Sequence, residues 1–347
     1  MPKINEKIFL VAGGTGGHLF PAIAVAQKDK ENRYIFIIDK RVEKILKKYN
    51  FQYFIISSSR LEKNITRLPA FLFKIFMGFL KSIYLIYKFK PKLIVGFGGY
   101  TSIPTILAAK FFKIKTLIHE QNALMGRTNR ILSKICNKTA ISFKTTKFAK
   151  KDSCYTGIPI RLFKKKKIQK RKKRILIVGG SQGAKIFSNI IPKILSNIPQ
   201  NIKKQLFIIQ QVRNEDKARL ILEYKKMKID FVLETFFNDL QNQIYNSDII
   251  FARCGSSTLA EIEDSKKKSF LFPLPTSLDN HQFINALEHK KHNNCEIYDE
   301  TKIDYSSLEK KFINEIKQPK KKDAKVNQEK KVSLIKLIND IIKKSYV

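Results

Sequence analysis

The sequence has few of the features that mark secreted, membrane-spanning or metal-dependent proteins. Its 347 residues include only four cysteines, and no two of them form a C-x-x-C pair. No signal-peptide segment opens the chain, and no uninterrupted apolar run approaches the roughly 20 residues that span a bilayer. These absences predict a protein of the reducing cytoplasm, with apolar filler roles for Cys136, Cys154, Cys254 and Cys295.

Acidic residues are also scarce, because 29 Asp and Glu stand against 68 Lys and Arg, for a formal net charge of +39. No D-x-D sequence occurs, so a divalent metal held by carboxylates against a nucleotide diphosphate is not expected. We predict neither a metal site nor a cofactor. The positive charge favours an anionic partner such as nucleic acid, a phosphorylated substrate or acidic lipid. General enrichment in Lys, Ile and Asn, as in AT-rich genomes, explains the charge equally well.

Short apolar segments rich in β-branched residues alternate with helical patterns along the whole chain. This alternation predicts parallel sheets covered by helices on both faces, and the length favours two domains. A lysine-rich segment at 164–173 is predicted to be a solvated linker or loop. We therefore predict an α/β protein with two Rossmann-like, doubly wound parallel-sheet domains that face a cleft. Their expected bounds are 1–160 and 161–327, followed by a helix in 328–347 that could pack back on the first domain.

Each predicted domain opens with a strand, a glycine-rich turn and a helix, at residues 13–17 and 179–183. Unpaired N–H groups at a helix start bind phosphate, and glycine lets the ligand approach closely. The first turn does not complete a dinucleotide fingerprint, since Leu19 stands where G-x-G-x-x-G from Gly14 needs its last glycine, and no glycine is followed by the Lys and Ser or Thr of a P-loop. Asp39 is only a partial match for a ribose-binding acid. A single glycine turn of this kind could serve only to pack a helix closely on a sheet. Two such turns at equivalent places favour the interpretation that they bind an anion.

Three other polar segments stand next to predicted strands, where open α/β sheets bind ligands. The segment 119–130 begins His-Glu-Gln-Asn, the segment 253–263 carries Glu261, and the segment 275–282 ends in Gln282. A carboxylate such as Glu261 suits sugar hydroxyls because it accepts two hydrogen bonds. A helix-capping loop or a solvated surface acid is the structural alternative for these segments.

Residues 68–90 form a strongly apolar segment with lysines at every seventh position. Lys74, Lys81 and Lys88 would form one stripe along a helix. A basic stripe in an apolar face suits the surface of an anionic membrane. The alternative is a buried core helix whose lysines extend to solvent.

Five motifs now stand together in order: "GGTGGHLFPA", "GFGGYTSIP", "HEQNALMGRTNR", "GGSQGA" and "LDNHQFINA". From about residue 8 to about 290, the chain resembles the MurG family of bacterial glycosyltransferases. The resemblance implies a GT-B architecture, with the donor in the C-terminal domain and the acceptor against the N-terminal one. It implies inverting transfer of N-acetylglucosamine from UDP-N-acetylglucosamine to the muramyl 4-hydroxyl of undecaprenyl-diphosphate-linked muramyl-pentapeptide. That step of peptidoglycan synthesis would place the protein peripherally on the cytoplasmic face of the inner membrane.

The resemblance also implies roles for individual residues. Phe237 would lie against the uracil, Glu261 would bind the ribose, and Gln282 and Asn122 would contact the transferred sugar. The full set implied to bind substrate is Thr15, Gly16, Gly17, Asn122, Arg161, Ser181, Phe237, Ser256, Ser257, Thr258, Leu259, Ala260, Glu261 and Gln282. His18 is our candidate for the general base because imidazole titrates near neutrality, and Glu120 is the substitute.

Three other functions stay open from the sequence. Another UDP-sugar-dependent GT-B transferase acting on a lipid acceptor would share these motifs. A nicotinamide-dependent oxidoreductase would use one glycine turn and Asp39. A nucleic-acid-binding protein would use the positive charge, but no aromatic-basic RNA motif or helix-turn-helix pattern supports it, so we predict no nucleic-acid partner.

Overall fold

The computed structural model of the chain describes residues 6–59, 65–168, 171–180, 183–318 and 332–344. The chain divides into two compact units. Unit 1 comprises Met1–Leu162 with Glu329–Val347, and unit 2 comprises Phe163–Gln328. Each unit contains one parallel sheet between helices, which confirms the predicted α/β class with two Rossmann-like sheets.

The sheet of unit 1 has seven parallel strands in the order β3-β2-β1-β4-β5-β6-β7. Alternate residues of the first strand face opposite sides, so Leu10 packs in one apolar cluster and Phe9 in another. Because both faces are buried, the strands are continuous apolar runs. The strands are Lys7–Ala12 (β1), Arg33–Ile38 (β2), Tyr53–Ile55 (β3), Leu93–Gly96 (β4), Lys115–Glu120 (β5), Lys138–Ile141 (β6) and Cys154–Tyr155 (β7).

Helices cover both faces of this sheet. They are Gly16–Lys28 (α1), Glu43–Leu46 (α2), Leu68–Phe89 (α3), Ser102–Phe111 (α4) and Arg127–Leu132 (α5). The third helix, with 22 residues, is long and apolar enough to cross a membrane by length and composition. Lys74, Lys81 and Lys88 interrupt this helix, so its apolar residues form no uninterrupted run of that length.

The sheet of unit 2 has six parallel strands in the order β10-β9-β8-β11-β12-β13, which repeats the arrangement of the first six strands of unit 1. Its strands are Lys173–Val178 (β8), Leu206–Gln211 (β9), Asp230–Glu234 (β10), Ile249–Ala252 (β11), Lys268–Leu271 (β12) and Cys295–Ile297 (β13). Its helices are Lys185–Ser196 (α6), Gln200–Lys203 (α7), Asn214–Lys226 (α8), Leu240–Asn246 (α9), Ser256–Ser265 (α10), His281–Lys290 (α11) and Tyr305–Lys317 (α12).

The last helix, Leu334–Lys343 (α13), belongs to unit 1. Leu334, Leu337, Ile338 and Ile342 are buried in the same cluster as Leu10. The apolar face of this amphipathic helix therefore completes the cover of the first sheet.

The described part of the lysine-rich segment, residues 164–168, is exposed and lies in no helix or strand, but its backbone is bonded to unit 2. The Asn242 side chain accepts from the N–H of Lys166 at 3.0 Å and donates to the carbonyl of Lys164 at 3.0 Å. One turn later, Asn246 accepts from Ile168 at 3.1 Å and donates to Lys166 at 2.7 Å. Residues 164–168 are thus fixed along α9. The exposed side chains agree with the predicted solvated linker or loop, and the hydrogen bonds of the backbone amides to α9 add what the charged side chains did not indicate.

Candidate functional site

The first glycine turn joins β1 to α1, and its shape depends on bare backbone. A Cβ on Gly13 would collide with Oγ1 of Thr101 and Oδ2 of Asp39. Gly14 adopts a φ of +83°, in the left-handed region that favours glycine. Its N–H donates to Oδ2 of Asp39 at 2.7 Å. After the turn, Thr15 is exposed, Gly16 is buried, and Gly17 is half-buried at the open start of the helix.

Asp39 anchors this turn. Its carboxylate also accepts from Oγ1 of Thr101 at 2.8 Å and from Nη2 of Arg41 at 2.7 Å. Burial raises the pKa of Asp39, but the hydrogen bonds from Arg41 and Thr101 and the Arg41 charge outweigh burial and lower it. A ribose hydroxyl would have to displace these partners. A nicotinamide-dependent oxidoreductase would need Asp39 to bind the ribose. In this structure the Asp39 carboxylate already accepts hydrogen bonds that stabilise the turn.

His18 lies in the first turn of α1 and is half-buried. A Cβ on Gly98 would lie 3.1 Å from Cε1 of the imidazole, and a Cβ on Gly99 would lie 3.5 Å from Cδ2. The imidazole of His18 therefore packs against Gly98 and Gly99 of the β4–α4 turn, where a larger residue would crowd it. Nδ1 of His18 lies 2.9 Å from Oε1 of Gln121.

The segment after β5 is organised by Glu120, which is buried. Its carboxylate accepts from the backbone N–H and the side-chain amide of Asn122, at 2.9 Å and 3.1 Å. It also accepts from the N–H of Gly126 at 3.0 Å and from Nδ2 of Asn129 at 2.8 Å. These bonds fix the loop into α5 and orient the half-buried Asn122.

Arg161 lies in unit 1, at the end of the segment that follows β7. Its guanidinium carbon lies 4.0 Å from the centre of the Phe20 ring, and Nη1 donates to the hydroxyl of Tyr49 at 3.1 Å. Cation–π stacking and this hydrogen bond orient the charged group against α1.

The second glycine turn joins β8 to α6 in unit 2. The N–H of Gly179 donates to Oε1 of Gln211 at 3.1 Å, and a Cβ there would collide with the backbone of Ala184. Gly180 has a φ of +83°, and a Cβ on it would meet no atom of the described residues within 4 Å. Ser181, which sequence reasoning assigned to substrate binding, lies outside the described residues.

The start of α10 presents an open helix N-terminus. Its N-cap is Gly255, where a Cβ would meet nothing within 4 Å among the described residues, and no side chain caps the helix. Because the N-cap is glycine, no cap side chain accepts from the N–H groups of the first turn, a feature shared by anion sites at helix starts. Ser256 and Leu259 are buried, whereas Ser257, Thr258 and Ala260 are half-buried.

Glu261 follows on the same helix and is 8% exposed. Its Oε1 accepts from Nε2 of Gln241 on α9 at 3.0 Å. Phe237 is half-buried and packs on the apolar cluster that contains Leu259. Sequence reasoning missed Gln241, because no local pattern links a residue on α9 to one on α10.

Gln282 ties two strand ends together. Its Oε1 accepts from the N–H of Cys254 at 3.2 Å and from the N–H of Leu274 at 3.1 Å. In the part of the chain that the structure describes, its Nε2 has no acceptor. The side-chain carbonyl of Gln282 thus stabilises the fold, whereas its NH₂ group can donate to a ligand.

Two family models match the chain. The glycosyltransferase family 28 N-terminal domain matches residues 8–141, and the glycosyltransferase family 28 C-terminal domain matches residues 174–341. These two matches correspond to the sheets of unit 1 and unit 2.

Relatives with the same printed name cover most of the chain. A protein of Rickettsia bellii (strain RML369-C) is 35% identical over 91% of this chain and 92% of its own length. A protein of Wolbachia sp. subsp. Brugia malayi (strain TRS) is 32% identical over 97% of each. Both are named UDP-N-acetylglucosamine–N-acetylmuramyl-(pentapeptide) pyrophosphoryl-undecaprenol N-acetylglucosamine transferase.

Solved structures agree with these relatives. The crystal structure of Acinetobacter baumannii MurG matches with a TM-score of 0.75 and 25% identity, over 98% of this chain and 99% of that one. The resemblance inferred from the motifs is thereby confirmed. The chain belongs to glycosyltransferase family 28 and, within it, to the MurG family of N-acetylglucosamine transferases.

Proposed function

We propose that the protein transfers N-acetylglucosamine from UDP-N-acetylglucosamine to the 4-hydroxyl of the muramyl sugar of undecaprenyl-diphosphate-linked muramyl-pentapeptide. The observation that carries this function is the 35% identity over 91% of the chain to a relative named for that transfer. The two glycine turns and the open start of α10 supply the anion-binding groups that a nucleotide-sugar donor needs.

Unit 2 holds the donor in this proposal. The N–H groups at the start of α10, together with Ser256, Ser257 and Thr258, bind phosphate and ribose oxygens. Glu261, oriented by Gln241, accepts from the ribose hydroxyls. Phe237 lies against the uracil, and the free amide donor of Gln282 binds the sugar. Leu259 and Ala260 contribute backbone and packing, and Ser181 is assigned to the same donor from its motif alone.

Unit 1 holds the acceptor and the base. Thr15, Gly16 and Gly17 bind near the reacting sugars, Asn122 contacts the transferred sugar, and Arg161 supplies positive charge toward the nucleotide sugar. The acceptor 4-oxygen forms a bond to the anomeric carbon as the bond from that carbon to the β-phosphate oxygen breaks. The bonding pair leaves with UDP, and the configuration inverts.

His18 takes the hydroxyl proton in this step, because its ring lies beside the first glycine turn and its Nε2 has no partner in the described chain. Glu120 is the weaker candidate, since four hydrogen bonds already occupy its carboxylate. We assign Glu120 to positioning Asn122 and the loop.

The exposed face of α3 is our proposed membrane-docking surface. One side of the helix packs on unit 1, where Oγ of Ser82 lies 3.1 Å from Oγ1 of Thr105 on α4. The other side exposes Phe73 by 65% and Phe76 by 55%. The apolar surface comprises Leu72, Phe73, Phe76, Met77, Leu80, Tyr84 and Tyr87 on α3, with Leu107 and Phe111 on α4.

This geometry suits a helix that lies in the membrane surface. Lys74, Lys81 and Lys88 are exposed on the same helix, and Leu68–Phe89 contains no acidic residue. Apolar side chains with flanking lysines bind anionic lipid headgroups. Because an undecaprenol-linked substrate resides in the membrane, we propose that the protein works peripherally at the cytoplasmic face of the inner membrane.

Vesicle binding tests the docking surface. Replacing Phe73 and Phe76 with Ser should release the protein from vesicles containing anionic lipid, since both side chains are solvent-exposed and their loss leaves the core intact. The control is Leu222→Ser, which removes a side chain 70% exposed on α8 of unit 2. Equal binding of all three proteins would reject this surface.

The transfer assay tests the function. The protein is incubated with labelled UDP-N-acetylglucosamine and the undecaprenyl-diphosphate-linked muramyl-pentapeptide, and a labelled lipid product is expected. Labelling of a different lipid acceptor only would favour the other UDP-sugar-dependent lipid transferase. Absence of transfer to any lipid would reject both.

A further inference from the structure

His119 is fully buried, and the atoms around its Nε2 can only accept a hydrogen. Nε2 lies 3.0 Å from the carbonyl oxygen of Gly157 and 3.4 Å from Oγ of Ser142. The Ser142 hydroxyl gives its own hydrogen to the carbonyl of Glu120, at 2.6 Å. Nε2 of His119 must therefore carry a hydrogen. Burial lowers the pKa of His119 to about 4, so the ring is neutral at pH 7 and Nδ1 is bare.

The bare Nδ1 fixes the orientation of the neighbouring amide. Nε2 of Gln121 lies 3.0 Å from Nδ1 of His119 and 2.9 Å from the His119 carbonyl oxygen, which are both acceptors. The reversed amide would place Oε1 against two lone pairs. The NH₂ group therefore faces His119, and Oε1 faces Nδ1 of His18 at 2.9 Å.

This orientation determines the protonation of His18. Oε1 of Gln121 can only accept, so Nδ1 of His18 carries the hydrogen. In the neutral form of the ring, which has one N–H, Nε2 then holds the lone pair. Among the described residues, Nε2 of His18 has no hydrogen-bond partner.

We propose that His119 and Gln121 are positioning residues that hold His18 in the tautomer with a free Nε2. The assignment rests on the proposed function in one respect, that His18 is the base of the transfer. The acceptor hydroxyl proton then moves to Nε2, while the Nδ1 hydrogen stays on the bond to Gln121. That bond also orients the imidazolium that forms.

Nitrogen NMR of protein labelled at histidine tests the proposal directly, because the two ring nitrogens of each tautomer have different shifts. Wild-type His18, assigned by the signal lost in His18→Gln, should show a protonated Nδ1 and a bare Nε2. Gln121→Met removes the acceptor of the His18 hydrogen, and His119→Phe removes Nδ1, one of the two acceptors that orient the amide. Both variants should lose the single tautomer, and kcat should fall about 10- to 100-fold, with the KM for UDP-N-acetylglucosamine unchanged.

His289→Phe is the matched control, since His289 is also a buried, neutral histidine but lies in unit 2. It should keep both the His18 tautomer and kcat. A wild-type His18 protonated on Nε2, or an unchanged tautomer in both test variants, would overturn the proposal. If a variant does not fold, the tautomer of His18 in the wild-type spectrum is sufficient to support or overturn the proposal. The spectrum needs no substrate, so failure of the transfer assay would reject the function without altering this result.

Discussion

The carboxylate of Glu261 on α10 is held by the side-chain amide of Gln241 on α9, with Nε2 and Oε1 3.0 Å apart. This bond fixes the orientation of the carboxylate on the helix. We predict that Glu261→Ala weakens the binding of UDP-N-acetylglucosamine about 10- to 100-fold, because a hydrogen bond to a charged group contributes about 1.5–3 kcal/mol. Titration calorimetry measures this change.

The control for Glu261 is Asp264→Ala, which removes an exposed acid from the same helix. It should bind the donor as the wild type does. Gln241→Leu should give a smaller loss than Glu261→Ala, because it frees the carboxylate without deleting it. Equal donor affinity for Glu261→Ala and wild type would remove Glu261 from the site.

The first glycine turn should depend on Asp39. Asp39→Ala leaves the Gly14 N–H and the Thr101 hydroxyl without their buried acceptor, which costs about 1–3 kcal/mol for an unsatisfied polar group. We expect a lower urea midpoint and loss of transfer, since the turn beside His18 loses its shape. An unchanged urea midpoint in Asp39→Ala would contradict this role of Asp39 in the turn.

Stability should also fall at low pH because of Asp39. Its folded pKa lies below the unfolded value, so its stabilising contribution is present above the unfolded pKa of about 4 and is lost as the pH falls through the folded value. The acid-induced loss of stability should therefore be smaller in Asp39→Ala than in the wild type below pH 4. Parallel losses in both proteins would contradict this role.

A separate acid effect is expected from the two buried histidines. The folded pKa of His119 and of His289 is lowered to about 4, in both cases chiefly by burial. The unfolded chain binds their protons below about pH 6.5, whereas the folded chain does not until about pH 4. Stability should fall across that window by up to about 1.4 kcal/mol per pH unit for each histidine. Urea midpoints at pH 7, 6 and 5 measure the slope, which should be smaller in His289→Phe than in the wild type.

The sheets were predictable because their signal is local. Segments such as residues 7–12 and 173–178 are apolar, β-branched and followed by glycine turns, and parallel strands buried on both faces need that pattern. The relationships around the site were not predictable. Asp39 meets Gly14 and Thr101 across 25 and 62 residues of chain, and only the folded sheet brings them together.

The segment 164–168 shows the same limit. Its lysines indicated a solvated linker or loop, and the exposed side chains agree, but the backbone contacts that fix it come from Asn242 and Asn246, more than 70 residues later. Glu120 is a comparable case. Its position at the end of β5 was compatible with a catalytic role and also with a structural role in the loop that follows. Its hydrogen bonds to Gly126 and Asn129 depend on the conformation of the loop.

His18→Ala is the most direct test of the account. If His18 accepts the acceptor proton, single-turnover transfer should fall about 10²- to 10⁴-fold, the usual contribution of a general base. The dissociation constant for UDP-N-acetylglucosamine, measured by calorimetry on the same samples, should stay within about twofold of the wild type. Unchanged turnover in His18→Ala would contradict the account.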